Sequence, residues 1–392
     1  MTDRTPVVVV GGDSNALSIA RSLGPYGVAV HGLGVAPYVL RSRHMTGVPA
    51  VAHDDPETSC TRTLLGPATD HLRGALLIAG SDVGLTVLAR NRDALLERFV
   101  LDDSVVEVQL GMLDKLSTYE WARAAGVRTP LFWRVDDARD LERHRDEYVF
   151  PLIVKPVHSH EYQAAFPGLS KFRVVDDLAG LRREHAELTG AGLAVLLVEQ
   201  IPGGDDQLCS YYTYLDPAGK PTFHFTKRVI RRHPPGMGIG CYHVTDWNPE
   251  VRDAALPLFE HTGLRGLANA EFKRDPRDGR LKLIECNARF TAANGLVAAA
   301  GLDLARHVYH RALGEPHELP TEYRTGMRLL YPSHDVRAFR DLRRAGQITT
   351  GRWVRSLVHR QVFPFLRLDD PLPAFARGAM RAANGVRRAL RR

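Results

Sequence analysis

The chain has 392 residues, 44% of them hydrophobic and 25% charged, which is the make-up of an ordinary globular protein with chain enough for two or three domains. Its four cysteines, Cys60, Cys209, Cys241 and Cys286, are scattered without a CxxC pair, which argues against a disulfide framework or a cysteine zinc site, and no apolar stretch nears the roughly 18 residues a bilayer span requires. The net charge of +7 is lopsided: residues 331–392 hold 14 Arg, no Lys and 4 Asp, a net +10, which leaves −3 for residues 1–330, so no nucleic-acid-binding face is expected on the body.

The N-terminal MTDRTPVVVV has too short an apolar run for a secretory leader, and a cytoplasmic protein is expected. Val7–Val10 reads as a buried strand, Gly11-Gly12-Asp13-Ser14-Asn15 as a turn, Ala16 to Leu23 as a helix and Val28–Val30 as a second strand. A second unit follows, with a strand at Ala75–Ala79, Gly80-Ser81-Asp82 at its carboxyl end and a helix from about Val83 to Phe99. Apolar strands alternating with helices predict a parallel sheet, with ligands at the strands' carboxyl ends, near Gly11, Gly12 and Asp82. The turn lacks GxGxxG spacing, and no acid ends the second strand to hold a ribose, so dinucleotide binding is not expected.

From Asp114 the pattern changes. Asp114-Lys115 opens a helix, Leu116 to Ala125, that stops at Gly126. Phe150–Pro156 is a buried strand delivering Lys155 at its end, a residue that on its own would read as a snorkelling edge lysine or an ion-pair partner. Ala194–Ile201 is a third strand, running into Pro202-Gly203-Gly204-Asp205-Asp206. Thr226–Gly240 reads as a strand ending in cations, Lys227, Arg228, Arg231 and Arg232, followed by a Gly-rich loop suited to close over a reactive phosphate. Finally Ala270–Phe290 forms two short strands around an Asp-Gly turn, which brings Glu271, Glu285 and Asn287 to one face and turns Cys286 into the core. An all-oxygen face of this kind suits Mg2+, or else is an exposed hairpin with solvated acids.

The order of these pieces resembles the ATP-grasp superfamily of carboxylate–amine ligases: a lysine after Asp114, a Val-Lys-Pro strand, a Val-Glu-Gln-Ile strand with an acidic turn, and a Glu…Glu-x-Asn hairpin. Within it the chain is similar to the amino-acid ligases, the D-aspartate and D-alanine ligases among them, and Glu285–Arg289 is also similar to biotin carboxylase. The resemblance covers about residues 5–315. It implies an α/β fold with a Rossmann-like pre-ATP-grasp domain (1–112), a central subdomain (113–200) and a C-terminal subdomain (201–330) that sandwich ATP, followed by a basic helical extension (331–392).

The same resemblance implies site residues. Lys115 and Lys155 would lie over the α and β phosphates, the backbone of Glu199, Gln200 and Ile201 would read adenine, and Asp206, or Asp205 beside it, would hold the ribose. Glu271, Glu285 and Asn287 would bind one or two Mg2+. Lys227 and Arg231 would serve the transferring phosphate and Arg289 would clamp the carboxylate substrate in two-pronged fashion. The implied reaction is phosphorylation of a carboxylate and attack of an amine on the acyl phosphate, releasing ADP and phosphate. Its partners are small carboxylate and amine substrates, with Asp82 a candidate for the amine.

Where related ligases often carry a glycine-rich phosphate loop, this chain has Val157-His158-Ser159-His160-Glu161. In the extension, Phe375, Ala379, Ala382, Val386 and Ala389 form a stripe with Arg377, Arg381, Arg388 and Arg392 off it. That pattern predicts a helix that either packs on its own protein or lies on the inner face of a membrane.

Overall fold

A computed structural model of the chain describes residues 4–156, 172–315 and 317–390, so His158 and His160 lie outside the described residues. The first sheet is wholly parallel, with β1 (Val7–Val10), β2 (Val30–Leu33), β3 (Thr46–Gly47), β4 (Leu76–Ala79) and β5 (Val100–Leu101) in the order β3-β2-β1-β4-β5. The strand order reverses between β1 and β4, and the turns leaving these two strands lie side by side. Gly11 sits at φ +72°, and a Cβ there would stand 2.0 Å from Ser81 Oγ; one on Gly12, at φ +105°, would stand 2.5 Å from the Gly80 carbonyl oxygen. Both conformation and contact therefore require glycine. The helix expected over Val83–Phe99 is two helices, Asp82–Arg90 and Arg92–Leu96. They break at Asn91, whose side-chain amide donates back to Val87 O at 2.8 Å.

The second sheet comprises β6 (Phe132–Val135), β7 (Leu152–Pro156), β8 (Arg173–Val175) and β9 (Val195–Glu199), antiparallel in the order β6-β9-β7-β8. The helix Lys115–Ala124 precedes it, and Asp114 caps that helix by accepting from the Leu116 and Ser117 backbone N–H groups.

The third sheet has seven strands: β10 (Leu208–Leu215), β11 (Phe225–His233), β12 (Ile239–Asp246), β13 (Gly266–Arg274), β14 (Leu281–Asn287), β15 (Arg328–Leu330) and β16 (Gln361–Val362), in the order β14-β13-β10-β11-β12-β15-β16. One face buries Tyr211, Phe272, Leu283 and Cys286 against Leu258 and Phe259 of the helix Pro249–Thr262. The opposite face sends Tyr212, Tyr214 and Phe225 into a core shared with Leu17, Ile19 and Leu296, which locks the parallel unit onto this sheet. Each such side chain contributes about 1.5–3 kcal/mol on burial.

Residues 331–390 pack into this body. They supply β16, the helices Pro332–Arg344, Thr350–Leu357 and Leu372–Leu390, and Asp370, which forms a buried 2.9 Å ion pair with Arg21. Among the described residues no helix is long and apolar enough to cross a membrane.

Candidate active site

Strand pairing lays one row of side chains across five strands: Glu285 on β14 faces Glu271 on β13, then Ser210 on β10, Lys227 on β11 and Thr245 on β12. A register shift after Glu271 makes this row possible. Phe272 pairs with Leu283 rather than Ile284, so Ile284 bulges. Leu281, Leu283 and Cys286 all reach the core while Glu285 and Asn287 emerge on the open face. Strict alternation from Leu283 would have buried Glu285.

Opposite charges alternate along the row. Lys115 Nζ lies 2.8 Å from Glu285 Oε2, and this contact holds the Glu285 carboxyl down to about 2. Burial pushes Glu271 upward against the pull of Lys227, and Glu285 adds to the rise. Lys227 is 2% exposed, its ammonium donates to Ser210 Oγ at 3.0 Å, and burial lowers its pKa. Lys155, at the end of β7, is pushed down to about 7, by burial first and then by the charge of Lys115. Asn287 extends the acidic end, its amide nitrogen 3.4 Å from Glu285 Oε1 and 3.5 Å from Oδ1 of Asn269, a buried neighbour that the sequence reading overlooked. Lys115, Lys155, Lys227, Glu271, Glu285 and Asn287 therefore gather in one cleft.

Arg231 is not in it. A second bulge lies between Val229 and Arg231, so that Arg231 pairs with Tyr242 while Arg232 pairs with Gly240. Arg231 consequently faces away, into a buried ion pair with Asp335 (2.6 and 3.1 Å, side chains 5% and 1% exposed) and a 2.9 Å bond to Ser356 Oγ. The expected catalytic position of Arg231 is corrected to a structural one, and its neighbour Arg232 takes the cleft side, where its charge acts on Glu271.

Arg232 also assigns the two aspartates of the acidic turn. Asp205 Oδ1 accepts from Arg232 Nε at 2.7 Å and from the Gly236 N–H at 3.1 Å, which ties down the Gly-rich hairpin loop, whereas Asp206 is exposed. The loop reaches the end of β9, with Met237 Sδ 3.8 Å from the Gln200 side-chain nitrogen. At that strand end the Glu199 and Gln200 N–H groups are spent on Leu131 O and Pro151 O. The Ile201 carbonyl accepts from Lys273 Nζ at 2.8 Å, and Gly203 O does so at 2.9 Å. Lys273, a further residue the sequence reading missed, thus fixes the segment where adenine was expected. The Glu199 side chain is turned away, toward Arg277, Lys282 and the Leu131 N–H, so neither it nor the Glu199 N–H is available there. At the cleft's other end Arg289 Nε meets Asp82 Oδ1 at 2.5 Å, joining the two residues expected to touch the carboxylate and the amine.

No protein-family model matches the chain. The D-aspartate ligase of Enterococcus faecium (strain Aus0004) is 26% identical over 320 residues, which cover 77% of this chain and 75% of that protein. Among solved structures, the ADP complex of N5-carboxyaminoimidazole synthetase from Staphylococcus aureus superposes with TM-score 0.63 at 15% identity, over 82% of this chain and 80% of the other. The L-amino acid ligase from Bacillus licheniformis gives 0.58 at 17%, over 81% and 76%. The chain has the ATP-grasp fold.

The donors in this ATP-grasp cleft fit the groups such a fold implies. Two carboxylates and an amide offer oxygen to a hard cation, with no His or Cys among the three, so the set suits Mg2+ rather than zinc. The rise of Glu271 beside ionised Glu285 is relieved by a cation, and an anion favours the charged forms of Lys227 and Lys155, whose pKa values burial lowers.

Proposed function

We propose that this cleft binds ATP with Mg2+ and that the chain is an ADP-forming ligase joining a carboxylate to an amine, with an amino acid as one substrate. The observation that carries the reading is the row Glu285–Glu271–Ser210–Lys227 with Lys115 and Lys155 above it, which puts metal-type oxygens and phosphate-type cations in one place. The amino-acid part rests on the similarity to a D-aspartate ligase and an L-amino acid ligase.

In this reading a substrate carboxylate oxygen attacks the γ-phosphorus, the bond to ADP breaks, and the amine nitrogen then forms the C–N bond as phosphate leaves and the amine loses a proton. Glu271, Glu285 and Asn287 would hold Mg2+, which supplies charge neutralisation on the transferring group. Lys115 and Lys155 would turn to the phosphates, with Lys227 and Arg232 facing the terminal one. Ile201, whose N–H has no backbone partner among the described residues, would read adenine together with the Gln200 carbonyl, and Asp206 would hold the ribose. Arg289 would bind the carboxylate, with Asp82 keeping its guanidinium in place until substrate arrives. The Gly-rich loop excludes water from the acyl phosphate. ADP release measured across a panel of acids and amines tests the assignment: release requiring both an acid and an amine supports it, and release with neither dependence refutes it.

A second, independent reading concerns location. Leu368 is 97% exposed, Phe375 67% and Leu372 58%, and Arg352, Arg355, Arg360 and Arg367 are exposed in the same segment. Apolar anchors with cations around them support peripheral contact with an anionic membrane.

A further inference from the structure

The helix Leu372–Leu390 sets the half-buried Arg377 against the body, lays the exposed Arg381 over Ser333 and His334, and leaves Leu372, Phe375 and Ala379 outward. The two arginines meet at one spot. Arg377 stacks over Phe365 at 3.9 Å and over Tyr38 at 5.8 Å. Arg381 donates to Ser333 Oγ at 2.5 Å and lies 3.1 Å from His334 Nε2. Arg337 adds a third positive charge, and the charges of Arg377 and Arg337 both act on Arg381. Facing them is Asp13, in the turn after β1, as the one acid in the group; its Oδ1 is buried without a partner, as is His334 Nδ1. Burial and the neighbouring arginines hold His334 neutral, down to about 4, so it adds no charge of its own. Two helices, Ser14–Leu23 and Pro332–Arg344, also begin here, and neither has a side-chain cap.

This cluster adjoins the cleft on two sides. Asn15, next to the helix start, donates to Phe290 O at 3.1 Å, one residue beyond Arg289, and Ser14 Oγ meets Tyr331 OH at 2.9 Å. The His334 ring lies 6.1 Å from that of His233, where β11 enters the Gly-rich loop. We propose that Arg337, Arg377 and Arg381 form an oxyanion-binding subsite that takes a carboxylate or phosphate group of the amine substrate, remote from the reacting nitrogen. This rests on the ligase reading above and gives the basic extension a part in substrate recognition. Three guanidiniums against one acid leave an excess of positive charge that an oxyanion neutralises with charge-assisted hydrogen bonds.

The test is isothermal titration of the full chain with its nucleotide cleft filled by Mg2+ and AMP-PNP, using inorganic phosphate in one arm and succinate in the other to tell the two oxyanions apart. The wild type should bind at least one of them, and Arg377→Ala/Arg381→Ala should weaken that binding by about tenfold or more, the loss of charge-assisted contacts, while AMP-PNP affinity stays within about twofold. Should the double variant melt early, the exposed Arg337→Ala should still weaken the anion severalfold, and Arg377→Lys/Arg381→Lys should restore part of it. Failure of both anions to bind the wild type, or equal binding by wild type and variants, overturns the subsite. A chain that binds AMP-PNP and the anion yet releases no ADP with any acid and amine would instead sink the ligase reading and leave the subsite standing.

Discussion

Arg231 and Arg232 are adjacent in sequence and opposite in structure, which makes them the sharpest test of the cleft as described. Replacing Arg231 with alanine strands Asp335, 1% exposed, with the Trp353 indole N–H (2.8 Å) and the weak Cys241 thiol donor (4.0 Å) left to its carboxylate, and Ser356 loses a partner as well. Removing one member of a buried ion pair costs about 3–5 kcal/mol. At about 2 °C per kcal/mol for a chain of this size, the melting temperature should fall by about 6–10 °C. The cleft is untouched, so kcat/KM for ATP, assayed by ADP release well below the transition, should stay within about threefold of wild type. Arg232→Ala frees Asp205 in a more accessible place and should cost only about 1–2 kcal/mol. It removes a cation from the Glu271 side of the sheet, and turnover should drop about 10²–10³-fold. The reasoning is refuted if Arg231→Ala abolishes ADP release while melting like wild type, or if Arg232→Ala turns over normally.

Glu285→Ala should remove Mg2+-dependent ADP formation while leaving the melting temperature within a few degrees, checked by titrating Mg2+ at fixed ATP; near-normal activity at limiting Mg2+ would overturn the metal assignment. Lys155, pushed down to about 7 in the free protein, should recharge when phosphates arrive, so calorimetry in buffers of different ionisation enthalpy should show about 0.9 proton taken up per nucleotide at pH 8 and about 0.1 at pH 6, a difference that Lys155→Met removes. The sign in the nucleotide-free protein follows: between about 7 and 10.5 the unfolded chain holds that proton and the folded one does not, so this lysine makes stability rise with pH across that window. In sedimentation with anionic vesicles the full chain should pellet at low salt and be released at high salt, whereas Leu368→Asp/Phe375→Asp should stay in the supernatant; equal pelleting of the two would end the membrane proposal.

The parallel unit was legible because its signals are local. Four consecutive valines with glycine behind them can be little other than a doubly covered strand and its exit turn, and the close approach of Gly11 to Ser81 and of Gly12 to Gly80 explains why two glycines in a row are needed there. The break at Asn91 was hidden because the flanking residues keep their helical spacing, and only a side-chain bond back to Val87 O shows where the helix ends. The extension was read as a tail from its charge, which says nothing of Asp370 reaching the buried Arg21, 349 positions away, or of β16 pairing with β15 at the sheet edge.

For the cleft, what decided legibility was whether strand parity survived. Glu271, Glu285 and Asn287 were found from alternation within a hairpin, yet that alternation holds only because Ile284 bulges; the run Leu283-Ile284, two apolar residues together before Glu285, is the trace the bulge leaves in the sequence. In β11 the same device leaves the same kind of trace, Val229-Ile230, but the residues that follow are two arginines, and exchanging their faces does not alter the pattern of charge. The choice between them is made by what each finds on its side of the sheet: a buried carboxylate from the extension for Arg231, the acidic turn and Glu271 for Arg232. Lys273 escaped for a related reason. Its ammonium serves two backbone carbonyls at the end of β9, and a lysine that binds carbonyls has no acidic partner for a sequence pattern to reveal. The missed cations thus have their partners on another strand, loop or helix, while Glu271, Glu285, Asn287 and Lys115 were placed by their own strand or cap.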